Sequence, residues 1–323
     1  MVASDELGDP GSALLGNDPE AFGGLVDPYR RELLVHCYRM LGSVDDAEDA
    51  VQDALVNAWR RRGTYVHDRS VRAWLYKIAT NTCLDAIDRR ARHRGGDVHL
   101  GVGPIPDALL DADAVAGPEA RIDARESVSL AFLTALQVLP ARQRAVLILR
   151  DVLSWRSAEV AALLDLSVPA VNSALQRARA TVSRRGRRPD RVNPAVDPTP
   201  GQPIGLFERY VRAWEAADVP GLVALLREDA LLSMPPRPQV SGAGAIGEVL
   251  ATSIFIDGRR MRLVPTAANR RVAFMSYLQR RPDAPFEAFA LLVLEEVEGS
   301  IARLDAFVDP RVLARFGPSH LPR

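Results

Sequence analysis

Ser157–Ala180, SAEVAALLDLSVPAVNSALQRARA, reads as two helices joined by a short turn. Val160, Ala161 and Leu164 recur at helical spacing in the first half, and Val171, Leu175, Ala178 and Val182 do so in the second. The turn falls around Asp165–Ser167, with Ser167 as the cap of the second helix. Pro169 sits in the first turn, where a missing N–H costs little. Opposite the apolar face stand Asn172, Gln176 and Arg179, flanked by Ser173 and Arg177. Amides and guanidiniums held outward on such a helix suit a major groove, where Arg pairs with guanine and Asn or Gln with adenine. A plain helical hairpin with a polar exterior has the same spacing, so the pattern alone leaves both readings open.

Upstream, residues 119–185 continue as helix, with Pro140 opening a segment that carries Val146, Leu147 and Leu149. Residues 95–118, GGDVHLGVGPIPDALLDADAVAGP, are rich in Gly, Pro and Asp and lack a sustained period, so they read as a linker. Before them come three helical stretches. Residues 28–41 place Leu33, Leu34, Cys37, Met40 and Leu41 on one face, and Gly42 stops the helix. Ser43 with Asp46 resembles a capping box for a helix over 44–60 that buries Ala47, Val51, Ala54, Leu55 and Ala58. A long helix or a kinked pair covers 69–92, with Val71, Leu75, Ile78, Ala79, Cys83, Ala86 and Ile87 inward.

Two further surfaces stand out. Asp45, Asp46, Asp49, Gln52 and Asp53 load one helix with acid beyond what its N-terminal dipole needs, which suggests a basic protein partner. Around Thr64–Arg94, the positions expected outward include Arg72, Tyr76, Lys77, Thr80, Asn81 and Asp88, followed by Arg89, Arg90 and Arg92. Aromatic and basic groups together suit contact with nucleic acid, including unstacked bases. Solvated faces and amphipathic packing explain any one of these clusters equally well.

The chain has 323 residues, 47% of them apolar, and 41 basic against 41 acidic side chains. That length predicts two or three domains. Bulk charge points to no partner, but its local segregation implies separate surfaces. Cys37 and Cys83 fall on apolar helix faces, as in a reduced protein, and no residues have metal-site spacing. No signal peptide or membrane span is apparent, so a cytoplasmic protein is expected. Residues 186–203 form a second, Pro-rich linker. Beyond it the period changes. A helix over 204–217 groups Phe207, Tyr210, Val211 and Trp214, and strand-like runs follow at Ala230–Met234, Met261–Ala267, Val272–Leu278, Phe286–Val297 and Ile301–Val308. That order indicates an α+β domain.

Taken jointly, RELLVHCYRMLGSVDDAEDAVQDALVNAW and RAWLYKIATNTCLDAIDRR resemble region 2 of extracytoplasmic-function (ECF) RNA polymerase sigma factors. LPARQRAVLILRDVLSWRSAEVAALLDLSVPAVNSALQRARA resembles their region 4. FERYVRAWEAADVPGLVALLREDALLSMPP, RLVPTAAN and IARLDAFVDPRVLARFG resemble the SnoaL-like, cystatin-type cone fused to some of these factors. The resemblance implies two all-α sigma domains and an α+β cone: 1–94 for region 2, 95–118 as linker, 119–185 for region 4, 186–203 as linker and 204–323 for the cone. It implies that Asp45, Asp46, Asp49, Gln52 and Asp53 bind the β′ coiled coil of core polymerase. Thr80, Asn81, Arg89, Arg90 and Arg92 would read and open the −10 element, with the Gly63–Ser70 loop receiving a flipped base. Asn172, Ser173, Gln176, Arg177 and Arg179 would read the −35 element. The 95–118 linker would thread toward the RNA exit path. The partners implied are core polymerase and promoter DNA, with a small-molecule effector as a candidate for the cone and no membrane. No cofactor, metal or catalytic residue is expected.

Three rivals remain at this level. One is an autonomous helix-turn-helix regulator that never meets polymerase. Another is an enzyme on the cone, related cones hosting isomerases and cyclases, with Trp214, Tyr277 and Asp305 as its candidate pocket. The third is a cone that binds an effector and tunes promoter binding in cis.

Overall fold

The computed structural model describes residues 18–65, 70–93, 102–110, 127–185, 205–256 and 258–321. The expectations for Arg94, for 66–69 of the Gly63–Ser70 loop, for most of 95–118 and for the 186–203 linker lie outside the described residues. The chain divides into two units, Met1–Val102 with Ala108–Arg187, and Gly103–Asp107 with Arg188–Arg323. The two helical segments expected as separate domains therefore pack as one unit. A short piece of the connector between them belongs to the other.

The first unit opens with α1, Pro19–Val26, a helix not foreseen from the sequence. The Asp18 side chain caps it by accepting the Glu20 N–H at 2.9 Å. After a 3-10 turn comes α2, Arg30–Leu41, which ends at Gly42 with φ 75. Glycine suits that left-handed position, and its N–H donates back to the Tyr38 carbonyl at 2.7 Å. Helix α3 is Val44–Arg60, capped by Ser43. Helix α4, Val71–His93, is one helix rather than a kinked pair. Leu33, Cys37, Met40, Ala47, Leu55, Leu75 and Cys83 are all buried where these three helices meet.

The second half of this unit holds α5 (Leu130–Gln137) and α6 (Ala141–Leu147), the latter running into a π turn at Ile148–Val152. It continues with α7 (Ser157–Leu164) and α8 (Val168–Arg185). Asp165 makes the turn between α7 and α8 with φ 54. Arg144 of α6 ties the halves together from a site only 5% exposed. Its Nη1 donates to the Met40 carbonyl at the end of α2 and to Gln137 Oε1. Its Nη2 donates to the carbonyls of Gln137 and Leu139 at 2.9 and 3.2 Å. Burial lowers the Arg144 pKa to about 10, so the group is still charged at neutral pH.

The second unit contains α9 (Leu206–Glu215), α10 (Val219–Val223), β1 (Leu226–Ser233), β2 (Val240–Ser241) and α11 (Ala243–Val249). Strands β3 (Arg260–Ala268), β4 (Arg271–Gln279), β5 (Phe286–Val297) and β6 (Ser300–Phe307) follow, then α12 (Pro310–Leu313) and β7 (His320–Leu321). The sheet order is β2-β1-β6-β5-β4-β3, with β7 on β5. Among the described strands only β1 and β6 run parallel. One face of the sheet, through Phe274, Leu292 and Leu304, packs against Tyr210 and Trp214 of α9. This is the α+β cone expected from the pattern, with its first strand starting at Leu226 rather than Ala230.

Residues 103–107 join this unit at the β3–β4 turn, where Asn269 and Arg270 are both left-handed with φ 55 and 59. The Ile105 N–H donates to Asn269 Oδ1 at 3.0 Å, and the Asn269 N–H donates to the Ile105 carbonyl at 3.0 Å. Pro106 forms an antiparallel bridge with Ala268. Asp107 Oδ1 accepts the Arg270 N–H at 2.7 Å.

Candidate polymerase and promoter interfaces

Helix α3 buries Ala47, Val51 and Ala54 and thereby leaves Asp45, Asp49, Gln52 and Asp53 exposed on the far side. Asp46 is half-buried and forms an ion pair with Arg90 of α4. Asp46, Asp49, Gln52, Asp53, Arg89 and Arg90 line one shallow groove of about 410 Å³ between α3 and α4. Arg90, expected on the DNA side, is thus committed to the acidic helix. Arg92 is exposed and turns its Nε onto the Asp88 carbonyl at 3.3 Å.

Thr80 and Tyr76 correct the expectation that both point outward: they are 0% and 1% exposed. The Thr80 hydroxyl pairs with His36 Nε2 at 2.9 Å. The His36 ring lies 4.9 Å from that of Tyr76. The reason is that α4 has neighbours on several sides at once, α2 and α3 on one and α7 on another. Residues one turn apart on a nominally polar face therefore meet protein. Asn81 remains half-buried at the wall of a cleft of about 900 Å³ shared with Tyr65, Trp74, Lys77 and Trp155.

The second helical half supplies one wall of that cleft, through Leu153, Trp155 and Ala162. Lys77 Nζ lies 2.8 Å from Asp165 Oδ1 in the α7–α8 turn. Trp155 sits 5.2 Å from the Tyr76 ring, and the Arg72 guanidinium stacks over both. Arg72 in turn is held by Glu32, with Nη2 2.8 Å from Oε2.

On α8, Val171, Leu175 and Ala178 are buried, while Asn172, Ser173, Gln176, Arg177 and Arg179 are exposed. The five therefore share one solvent face. They are not equivalent. Arg179 is held by both oxygens of Asp151 at 2.8 and 2.7 Å, and these bonds raise its pKa. Arg177 spends one nitrogen on Ser173 Oγ at 2.7 Å. Ser157 donates to Asn172 Oδ1 at 2.9 Å and fixes the amide. The parts of Asp151 and Ser157 are not legible in the sequence, because partners 28 and 15 residues away leave no local signal.

The candidate cone pocket is divided by strand parity. Trp214 lies on the helix-covered face, 5.1 Å from the Phe255 ring, with Tyr210 beside it. Tyr277 and Asp305 alternate with the core residues Leu278 and Leu304, so they occupy the opposite face. Tyr277 Oη donates to the Pro318 carbonyl at 3.1 Å, and Asp305 accepts two bonds from Arg303 at 2.8 Å each. The three do not form one pocket. Buried with Trp214 instead are two donors without a partner among the described residues, Tyr210 Oη and Trp214 Nε1. No group of His, Cys, Asp and Glu among the described residues is placed to hold a metal. No single described helix is long and apolar enough to cross a membrane.

The model of Sigma-70 region 2 matches residues 25–93, and that of Sigma-70 region 4 matches 129–182. The chain is similar to the ECF RNA polymerase sigma factor SigG of Mycobacterium tuberculosis, at 39% identity over 319 residues, spanning 92% of this chain and 83% of that one. It resembles SigM of the same organism at 31% identity over 54% of this chain and 81% of the relative. The crystal structure of M. tuberculosis SigJ shares its fold, with a TM-score of 0.59 at 21% identity, covering 90% of this chain and 97% of that one. Two helical segments that match the promoter-recognition regions in order, within a chain aligned nearly end to end with such a factor, settle the assignment: this protein belongs to the ECF family of RNA polymerase sigma factors.

Proposed function

We propose that this sigma factor meets core polymerase through the acidic face of α3, captures the −10 element around Asn81, and reads the −35 element with α8, while its cone sets that activity in cis. The observation that carries the reading is the partition of α3 and α8 into a buried apolar stripe and an exposed polar one. The acidic stripe offers carboxylates for charge-assisted bonds to a basic helix. Lys77 and Trp155 wall the cleft beside Asn81, and Lys77 pairs with Asp165 of the α7–α8 turn, so promoter capture at Asn81 parts that contact. The test is run-off transcription with purified core. Asp49→Lys with Asp53→Lys should weaken core binding at least tenfold at low salt and leave helix content unchanged; core affinity equal to the parent's would remove this face from the interface. Leu304→Asp, which plants a charge in the cone core, should shift transcript yield several-fold in either direction. A parent-like yield from a chain with a demonstrably disordered cone would remove the cis role.

The different partners of the two arginines on α8 support different roles for them at the −35 element. Arg177→Ala should cost about 1–3 kcal/mol of discrimination at one base pair. Arg179→Ala should instead weaken all sequences alike and lower hairpin stability, because it strands the Asp151 carboxylate. Anisotropy titrations of holoenzyme on matched and singly substituted −35 duplexes distinguish the two; base preference lost only in Arg179→Ala would reverse the roles.

A second reading concerns the cone. Tyr210 Oη and Trp214 Nε1 are buried donors one turn apart, and such groups normally find a partner. They favour an apolar effector bearing a hydrogen-bond acceptor over an enzyme, since Asp305, the acid nominated for catalysis, lies across the sheet and is held by Arg303. An added aromatic ketone such as acetophenone should then alter the run-off yield of the parent but not of Tyr210→Phe.

A further inference from the structure

The cleft beside Asn81 encloses about 900 Å³, a size that buries small organic ligands. Trp74, Lys77 and Asn81 stand on its α4 wall at i, i+3 and i+7, so one helix face presents all three to the cavity. Trp155 lines it from the second helical half. Both indoles are half-buried and keep ring surface accessible, on which any base can stack. The Asn81 amide carries the donor and acceptor that match the N6 and N7 edge of adenine.

Charge completes the pattern. Arg61, Arg72 and Lys77 line the cleft against one lining carboxylate, Glu159, which Arg156 already pairs at 2.8 Å. Arg72 is committed to Glu32 and Lys77 to Asp165. Arg61, at the end of α3, is exposed and has no ion pair among the described residues. Its guanidinium is the cation available to an anion, and its fork suits a phosphate. A stacking ring, an adenine edge and a phosphate are the parts of one molecule.

Resting on the reading that Asn81 captures the −10 element, we propose that this cleft takes a free adenine mononucleotide, which occupies Asn81 and bridges the two helical halves. A ligand that touches both walls stabilises the arrangement in which they meet. Capture of the −10 strand parts them. Nucleotide and promoter strand therefore exclude each other, and the nucleotide is a negative effector whose strength follows its concentration.

The experiment uses the full chain and AMP. Equilibrium dialysis reads binding of AMP and of adenosine, and anisotropy of a labelled single-stranded −10 oligonucleotide on holoenzyme reads capture. AMP should bind saturably. Arg61→Ala should weaken AMP at least tenfold and leave adenosine unchanged, because only the phosphate contact is lost. Asn81→Ala should weaken both. Asp165→Asn tolerates the left-handed turn but removes the ion pair with Lys77; it should weaken AMP and strengthen oligonucleotide capture, each a few-fold. Saturating AMP should displace the oligonucleotide from parent holoenzyme. Absence of saturable AMP binding would overturn the proposal, as would equal AMP affinity in the parent, Arg61→Ala and Asn81→Ala, or AMP and oligonucleotide bound together. The underlying reading is judged separately: parent-like oligonucleotide capture by Asn81→Ala would remove Asn81 from −10 capture and overturn the exclusion, whatever AMP does.

Discussion

Taken from about pH 6.5 to about pH 4, the chain is expected to lose about 3 kcal/mol of folding stability through His36 alone. The ring is fully enclosed, which lowers its pKa from 6.5 to about 3, and the nearby Arg39 and Arg72 push in the same direction. The sign follows from which state takes the proton first. Between the two pKa values the unfolded chain is protonated and the folded chain is not, so acid favours unfolding. The stabilisation is complete above the unfolded value and lost as pH falls through this window. Urea midpoints at the two pH values, for the parent and for His36→Gln, isolate the effect from other groups. The variant should show a pH dependence smaller by about the stated amount. Equal pH dependences would mean that His36 is not enclosed in solution.

Arg144→Leu should be comparably damaging, at about 3 kcal/mol or more at neutral pH. The substitution leaves the carbonyls of Met40, Gln137 and Leu139 and the Gln137 amide oxygen without their donor, in a site water does not reach. Arg144→Lys keeps the charge but not the planar fork and should lose an intermediate amount. A loss under about 1 kcal/mol for the leucine variant, by the same urea titration, would show that water or repacking replaces the guanidinium.

Much of this architecture is legible in the sequence, and the misses have definite causes. The hairpin helices Ser157–Leu164 and Val168–Arg185 follow from apolar residues repeating every three or four positions. The helix at Pro19–Val26 lies outside the expected elements although Asp18 followed by a proline is a usable start signal. Thr80 escapes the pattern because periodicity identifies one apolar face and does not show that the neighbouring helix α2 covers a polar one, where His36 meets the Thr80 hydroxyl. The expected grouping of Tyr277 and Asp305 with Trp214 fails on strand alternation, which against Leu278 and Leu304 puts them on the other face. The fate of Ile105 was not legible at all. Its neighbours are Gly and Pro, which read as a linker, and its partner Asn269 stands 164 positions along the chain.

The hydrogen bonds that hold Ile105 cannot form until Asn269 has left the ribosome, by which time both sigma regions have long emerged. At roughly 5–20 residues per second, the interval between synthesis of Ile105 and of Asn269 is on the order of 10–30 s. Every newly made copy therefore passes through a period in which both helical segments exist and the bonds from Asn269 to Ile105 do not.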